Sequence, residues 1–437
     1  GLVVTRAASE ANLGQDLARQ LFQTPKALYV TAVVLIALAF LGLPPVPFLV
    51  LAAIIAAVGY IMQKRPTAMS EEEIAAAREN EIQEIRKTEN VFNLLTVDHM
   101  EIEIGYALIP LVDAGQGGDL LDRIVLIRRQ LAGELGFIVP VIRVRDNMNL
   151  QPNQYVIKIK GADVATGELF ADHYLAFSGG METEDIPGIP TKEPAFGLDA
   201  KWINAAHREQ AELAGYTVVD APTVLATHLT EIIKANAHEL LSREDVKKLV
   251  DHAKEQSPAV VEELVPDLLS LGQIQKVLAN LLRERVSIRN MTTILETLAD
   301  YAPLTKDIDK LTEYVRQSLA RQIIQPLLDA QKRLPVITLE PQIEQLILDN
   351  LRPSEYGNYV NLDPAVMQKL INKISLQVER VVAQGYNPVI IAAPVVRINL
   401  KRMTERQIPH LSVLSYNELV QGIEIQPLGM VVLDNES

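Results

Sequence analysis

The residue types that most often do chemistry in proteins occur here without the spacing of a known catalytic or metal site. The stretch GQGGD at 115–119 is glycine-rich, but no Lys-Ser or Lys-Thr follows it, as a phosphate-binding P-loop requires. His228 and His238 are ten residues apart on one predicted helical segment, which is not the spacing of two ligands to one metal ion. There is no cysteine nucleophile and no GxSxG motif. The sequence therefore predicts no catalytic residue, no metal site and no cofactor.

The charge of the chain is unevenly distributed. The net charge is −14, yet residues 1–65 hold five basic and two acidic side chains, a balance of +3, so the remainder carries −17. Such an acidic body argues against non-specific binding of nucleic acid, which depends on neutralising phosphates. The chain has no cysteine, which excludes disulfides and suits a reducing cytosol. At 437 residues it is too long for one core, so several domains are expected.

A long apolar stretch lies near the start of the chain. From Ala27 to Gln63 no residue is charged, a run of 37 residues. A single membrane-spanning helix needs about 20 apolar residues, so this run predicts two short spans. The segment LGLPPVPF at 41–48 contains the glycine and prolines of a tight turn, which places the helices at roughly 26–42 and 46–63.

The flanks of this apolar run predict its orientation. Lys26 precedes it, and Lys64 and Arg65 follow it. Because positively charged flanks stay in the cytoplasm, both ends and the acidic body are expected on the cytoplasmic side of a membrane. Residues 1–22 have the apolar spacing of a helix that lies at the membrane surface or packs on another span. A buried helical hairpin of a soluble protein is the alternative.

The remaining residues change character several times. Residues 66–96 are rich in charge and poor in large apolar side chains, which predicts a linker or a strip that docks onto another surface. Strand and helix signals alternate over 97–241, purely helical spacing follows over 242–330, and an α/β pattern returns over 331–437. The individual predictions are strands near 100–106, 141–144, 154–161, 215–219, 389–393 and 411–414, helices at 119–134, 201–214, 223–241, 363–385 and 395–406, and a loop at 179–200.

Five segments of the chain resemble one protein family. They are GLVVTRAASEANLGQDLARQLF at 1–22, VIRVRDNMNLQPNQYVIKIKG at 141–161, EPAFGLDAKWI at 193–203, GYTVVDAPTVLATHLTEII at 215–233 and VSIRNMTTILETLADYAP at 286–303. Together they resemble the flagellar type III export-gate family, the FHIPEP proteins, whose paralogues serve injectisomes. The resemblance covers the whole chain, and several segments are long enough to be specific.

The resemblance implies an α+β multidomain protein, in which a two-helix transmembrane hairpin precedes a cytoplasmic region of four subdomains. The chain corresponds to the last two membrane helices of the family, the linker and all four subdomains, without the first six helices. The subdomains are of α/β, inserted α/β, helical and α/β type. The implied boundaries are a juxtamembrane helix at 1–25, transmembrane helices at 26–63, a linker at 64–96, subdomain 1 at 97–171 and 221–241, subdomain 2 at 172–220, subdomain 3 at 242–330 and subdomain 4 at 331–437.

The resemblance also implies a function that is not enzymatic. Family members sit in the bacterial inner membrane as multi-pass proteins, and their cytoplasmic parts form a nine-membered ring under the secretion gate. That ring receives export chaperones with their flagellar subunits and passes unfolded subunits to a proton-driven membrane channel. The implied partners are the chaperone–substrate complexes, other export-gate membrane proteins, the separate export ATPase complex, further copies of the chain and the membrane, but no nucleic acid.

By the same resemblance, four residues are candidates for chaperone binding. The family motif is an acidic residue followed by Pro-Ala-Phe, with a threonine downstream in an Ala-Thr-His string. These positions correspond to Glu193, Phe196 and Thr227, although the family pattern has aspartate where Glu193 stands. Val219, at the end of a nearby predicted strand, is the fourth candidate. An exposed Phe196 would anchor a partner, Glu193 would offer a charged acceptor at the rim and Thr227 would donate a hydroxyl.

Each candidate has a plainer alternative. Phe196 and Val219 could belong to the core of their own domain, Glu193 could be a solvated loop acid, and Thr227 could bond to its own helix.

Two other functions stay open at this point: an injectisome paralogue that exports virulence effectors, and a membrane-anchored enzyme without a recognisable site. The EPAFG and LATHL strings favour the flagellar proteins.

Overall fold

The computed structural model describes residues 25–40, 45–63, 97–178, 185–354 and 357–433. The chain divides into two compact units, residues 1–96 and 97–437. The predictions of a juxtamembrane helix and of a linker fall on residues 1–24 and 64–96, outside the described residues.

The first unit contains two apolar helices that pack against each other, α1 (Pro25–Phe40) and α2 (Pro45–Gln63). Their bounds are within two residues of the predicted ones. Prolines at the start of both helices suit positions whose N–H has no helical partner. Within the described residues, no helix is both long and apolar enough to cross a membrane. The assignment of these two helices as transmembrane spans stays a prediction.

The second unit begins with two four-stranded sheets. The first sheet has the order β2-β1-β3-β4, in which β1 is parallel to β2 and antiparallel to β3. The second sheet has the order β6-β7-β5-β8 and is antiparallel throughout. The strands are β1 (Met100–Ile104), β2 (Ile142–Asp146), β3 (Gln154–Ile159), β4 (Ala162–Glu168), β5 (His173–Phe177), β6 (Ile189–Lys192), β7 (Asp199–Asn204) and β8 (Thr217–Asp220).

Helices cover these sheets and continue into a helical region. Ser242 caps the first helix of that region in a reciprocal capping box with Asp245, and Ser270 with Gln273 forms a second one. The helices are α3 (Ile109–Val112), α4 (Leu120–Leu135), α5 (Arg208–Leu213), α6 (Ala221–Ala235), α7 (Ala237–Leu240), α8 (Arg243–Gln256), α9 (Pro258–Glu263), α10 (Leu271–Arg283), α11 (Met291–Tyr301), α12 (Ile308–Ser318) and α13 (Ala320–Ile324).

The C-terminal part is built on a parallel sheet with the order β13-β12-β9-β14. Helices and a two-stranded hairpin connect its strands. Asp363 caps one of these helices by accepting from the N–H of Ala365, and Pro364 occupies the first helical position. The elements are β9 (Arg333–Leu339), α14 (Pro341–Asp349), β10 (Leu351–Ser354), β11 (Gly357–Val360), α15 (Pro364–Val382), β12 (Val389–Ala392), α16 (Pro394–Thr404), β13 (Ser412–Ser415) and β14 (Glu424–Val431).

One stretch differs from its prediction. Residues 179–200 were expected to form a loop and 201–214 a helix, whereas β6 lies at 189–192 and β7 at 199–204. Among the described residues of this stretch, the helical elements are a 3-10 turn at Ala205–His207 and α5, which is six residues long. Ala200, Trp202 and Ile203 are buried in β7 because β5 and β6 pair with it on its two sides. Pairing with strands elsewhere in the sequence thus decided the conformation of this stretch.

Candidate docking groove

The segment EPAFGL at 193–198 forms a tight turn between β6 and β7. The N–H of Glu193 donates to the carbonyl of Leu198 at 2.8 Å, and the N–H of Gly197 donates to the carbonyl of Glu193 at 2.9 Å. Gly197 has φ of +73°, a backbone conformation that side chains with a Cβ rarely adopt. The glycine in this segment is therefore required by the turn itself.

Glu193 holds the turn from inside. Glu193 is only 4% exposed. Its carboxylate accepts hydrogen bonds from the N–H of Ala195 at 2.9 Å and from the N–H of Phe196 at 2.6 Å. Two main-chain donors therefore satisfy a buried charge that would otherwise be costly. Because it is buried, Glu193 is not the solvated loop acid of the plainer alternative, and its role as a charged acceptor for a partner stays a prediction. The residue fixes the conformation of the loop.

Phe196 lies on the outside of the same turn. It is 62% exposed, so its ring does not close the core of its own domain. The main-chain N–H of Phe196 is bound to the Glu193 carboxylate, which restrains the backbone that carries the ring. An aromatic ring on a restrained loop loses little conformational freedom when it binds a partner.

The other two candidates lie further inside. Thr227 is half-buried on α6, next to His228. Val219 is half-buried on β8, where it pairs with Leu175 of β5 and packs against the main core. The position of Val219 agrees with the alternative of a core residue. No role in binding follows from the placement of either residue alone.

Beneath the loop lies a buried polar pair that the sequence analysis missed. The hydroxyl of Tyr155 on β3 and the Nδ1 atom of His228 on α6 are 2.6 Å apart. Burial lowers the pKa of His228 below its ordinary value, and the negative charge of Glu193 opposes this shift. Burial and the same charge raise the pKa of Tyr155. His228 is thus neutral near pH 7. The Ala-Thr-His string contained the histidine, but nothing local to the sequence indicated its partner.

An open groove of about 380 Å³ separates the first two sheets. The end of β4 borders it on one side through Thr166, Gly167 and Glu168. The end of β6 and the following turn border it on the other. Leu175 and Trp202 lie beneath it. Of the four candidates, Glu193 is the one that borders this groove among the described residues, and Phe196 lies beside it on the same turn. In the described residues, no cluster of His, Asp and Glu has the arrangement of a metal site.

The fold of the second unit matches solved structures of type III secretion proteins. CdsV of Chlamydia pneumoniae superposes with a TM-score of 0.66 and 28% identity, over 76% of this chain and 97% of that one. CdsV in complex with CdsO gives a TM-score of 0.68 and 26% identity, over 77% of this chain. The nonameric SctV-C of EPEC shares the fold with a TM-score of 0.63 and 24% identity. The mixed α/β architecture that was predicted is confirmed at this level.

The chain belongs to the FHIPEP family, whose model matches residues 1–424. The flagellar biosynthesis protein FlhA of Bacillus subtilis is 48% identical over 434 residues, which cover 99% of this chain and 64% of that protein. FlhA of Salmonella typhimurium is 37% identical over 98% of this chain and 61% of its own length. The chain thus spans less than two thirds of these relatives. The resemblance found from the sequence is confirmed, and the identities favour flagellar over injectisome proteins.

Proposed function

We propose that this chain is a component of the bacterial flagellar type III protein export gate. Its acidic body docks complexes of export chaperones with flagellar subunits and passes the unfolded subunits to a proton-driven membrane channel. Family membership and high identity to FlhA proteins support this function. The FHIPEP proteins are components of a secretion apparatus, and we assign no catalytic step to this chain.

The observation that carries the docking role is the exposed ring of Phe196 on a loop that Glu193 restrains. Phe196 supplies the apolar anchor of the interface. Glu193 positions that anchor, Thr227 donates a hydroxyl to the partner, and Val219 lines the base of the contact. Few residues carry most of the energy of a protein interface, and aromatic anchors are prominent among them.

The proposed location is the bacterial inner membrane, with residues 97–437 in the cytoplasm. The hairpin of α1 and α2 serves as the anchor, because large apolar side chains cover its outer surface. These exposed residues are Val30, Val33, Val34, Ile36 and Leu38 on α1 and Leu49, Val50, Leu51 and Ile54 on α2. A surface of this kind favours lipid or another apolar helix over water.

The proposed assembly is a ring, of nine copies as the family resemblance implies. The EPEC protein of the same fold is nonameric, and CdsV forms a complex with CdsO. By analogy, we include the export ATPase complex and the other export-gate membrane proteins among the partners. The four-subdomain division, with the second subdomain inserted into the first, belongs to this proposal as well.

Replacing Phe196 by Ala tests the docking role. We expect the variant to bind a filament chaperone with its subunit about tenfold more weakly or worse, a loss of about 1.4 kcal/mol. The variant should still fold, because the Phe196 ring is mostly exposed to solvent. Isothermal titration calorimetry on the full chain in detergent measures the affinity. Leu304→Ala, which truncates another exposed apolar residue in the helical region, is the matched control. Equal affinities for both folded variants would place the docking site elsewhere.

A further inference from the structure

We infer that the groove between β4 and β6 binds an extended segment of the unfolded subunit by strand addition. This inference rests on the proposed export function and names the part of the cargo complex that the groove recognises. The inference rests on two edge strands, β4 and β6, which both border this groove. The chemistry of the recognition is main-chain hydrogen bonding rather than a particular side-chain sequence.

The first edge is the outer side of β4. Leu169 N–H donates to the Asn153 carbonyl at 2.8 Å, and Tyr155 pairs with Gly167 two residues further along. Because hydrogen-bonded and non-bonded pairs alternate in an antiparallel ladder, the main-chain groups of Thr166 and Glu168 point away from β3. In the described part of the chain, β4 has β3 as its one neighbouring strand.

The composition of β4 leaves this edge open to pairing. Natural sheets protect their edges with prolines, lysines or bulges. The sequence of β4 is ADVATGE, without Pro or Lys, and although the strand has a bulge between Ala165 and Asp163, the bulge lies outside the residues that border the groove. The stretch from Ala165 to Glu168 therefore keeps regular strand geometry. This regular stretch is the part that borders the groove.

The second edge is the outer side of β6. The N–H of Glu193 donates to the Leu198 carbonyl at 2.8 Å, so the alternation directs the main-chain groups of Lys192 away from β7. Pro190 occupies the other outward position, where its missing N–H breaks no bond to β7. This edge therefore offers one residue with both a donor and an acceptor, at the end that borders the groove.

The size and charge of the groove suit a short extended chain. The groove has a volume of about 380 Å³, far more than one water molecule needs, so it leaves room for a short stretch of extended chain. Glu168 and Glu193 border it, and the ammonium of Lys192 is 2.8 Å from the Asp199 carboxylate. The local charge thus favours a neutral or basic segment. Recognition through the main chain also suits a receptor whose unfolded cargo proteins differ in sequence.

The test compares Thr166→Pro with Thr166→Ala in the full chain. Both substitutions remove the hydroxyl and its bonds to Gln154 and to the Tyr155 carbonyl, and proline in addition removes the outward main-chain N–H. The probe is a short synthetic peptide of alternating Thr and Val with a Lys at each end. We expect the proline variant to lose about tenfold or more in affinity, and the alanine variant to change less than about twofold.

A second arm uses the unaltered protein, so that it does not depend on the proline variant folding. The same peptide, N-methylated at every second residue, cannot complete a ladder and should bind at least about tenfold more weakly. Equal binding of both peptides, or equal binding by folded Thr166→Pro and Thr166→Ala, overturns the strand-addition site. Neither result changes the interpretation of the calorimetry on Phe196→Ala. That measurement alone tests whether the chaperone complex docks at this face.

Discussion

At the scale of single residues, the side chain of Glu193 fixes the main-chain conformation of Phe196. The carboxylate accepts hydrogen bonds from the N–H groups of Ala195 and Phe196 and so holds the exposed Phe196 ring at the surface. Its charge also reaches Tyr155 and His228 under the loop. Within the structure, Glu193 thus acts on its own loop. Under the docking proposal, the exposed ring of Phe196 is the part that meets the partner.

The neutral His228 makes stability depend on pH. In the folded state, the pKa of His228 lies below the ordinary value of about 6.5. As the pH falls through that value, the unfolded state therefore binds more protons than the folded state does. The free energy of unfolding should therefore decrease between about pH 7 and pH 5.5. Urea denaturation at both values measures it. Burial and Arg283 lower the pKa of His238 in the same direction, so His228→Gln should reduce the dependence without abolishing it. An unchanged pH dependence in that variant would show that His228 is not responsible.

At the scale of elements, a cluster of charged side chains joins the helical region to the C-terminal part. Arg397 of α16 is fully buried, and it pairs with Glu284, which follows α10, and with Glu313 of α12. Arg316 of α12 pairs with Glu284 at 3.1 Å and with Glu418 at 2.7 Å. Burial would raise the pKa of Glu284, but the two guanidinium groups outweigh it and lower the pKa to about 2.

Removing the central charge of this cluster should be costly. Arg397→Met leaves Glu284 and Glu313 without their shared partner in a buried site, and we expect a loss of about 3–5 kcal/mol in the free energy of unfolding. Arg402→Met is the matched control, because Arg402 also joins α16 to α12, through Asp309 at 2.6 Å, but at a partly exposed site. The control should lose less than about 1 kcal/mol. Urea denaturation of both variants gives the comparison, and similar losses would contradict the importance of burial.

At the scale of the whole molecule, the charge and the apolar surface are separated along the chain. Residues 27–63 carry no charge, while the part beyond residue 65 carries −17. The exposed apolar surface of α1 and α2 and the acidic sheets and helices require different surroundings. A membrane anchor with an aqueous body satisfies both requirements.

This separation predicts where the chain resides in bacterial cells. Protease added to intact cells should leave residues 97–437 uncut, and the chain should stay in the membrane pellet after alkaline carbonate washing. A variant without residues 26–63 should leave that pellet, because the apolar surface is gone. Immunoblots of both fractions decide the matter. Digestion of the acidic part from outside the cell would reverse the proposed orientation.

The sequence by itself determined those features whose cause is local. The helix predicted at 119–134 lies at 120–135, and the predicted strand at 389–393 lies at 389–392. The capping box of Ser242 and the cap at Asp363 each join residues two or three positions apart in the sequence. Periodicity and caps depend on residues within a few positions of each other, so they are visible before any folding. The family resemblance rested on continuous segments and was equally accessible.

The tertiary structure alone decided the features that need distant partners. The strands β6 and β7 exist because β5 pairs with β7, and the burial of Glu193 depends on the turn that these strands create. Arg397 finds its carboxylates 84 and 113 residues earlier in the chain. The groove itself arises where the edges of two sheets meet. Pairing across such distances depends on how the whole chain closes, which no local pattern of residues encodes.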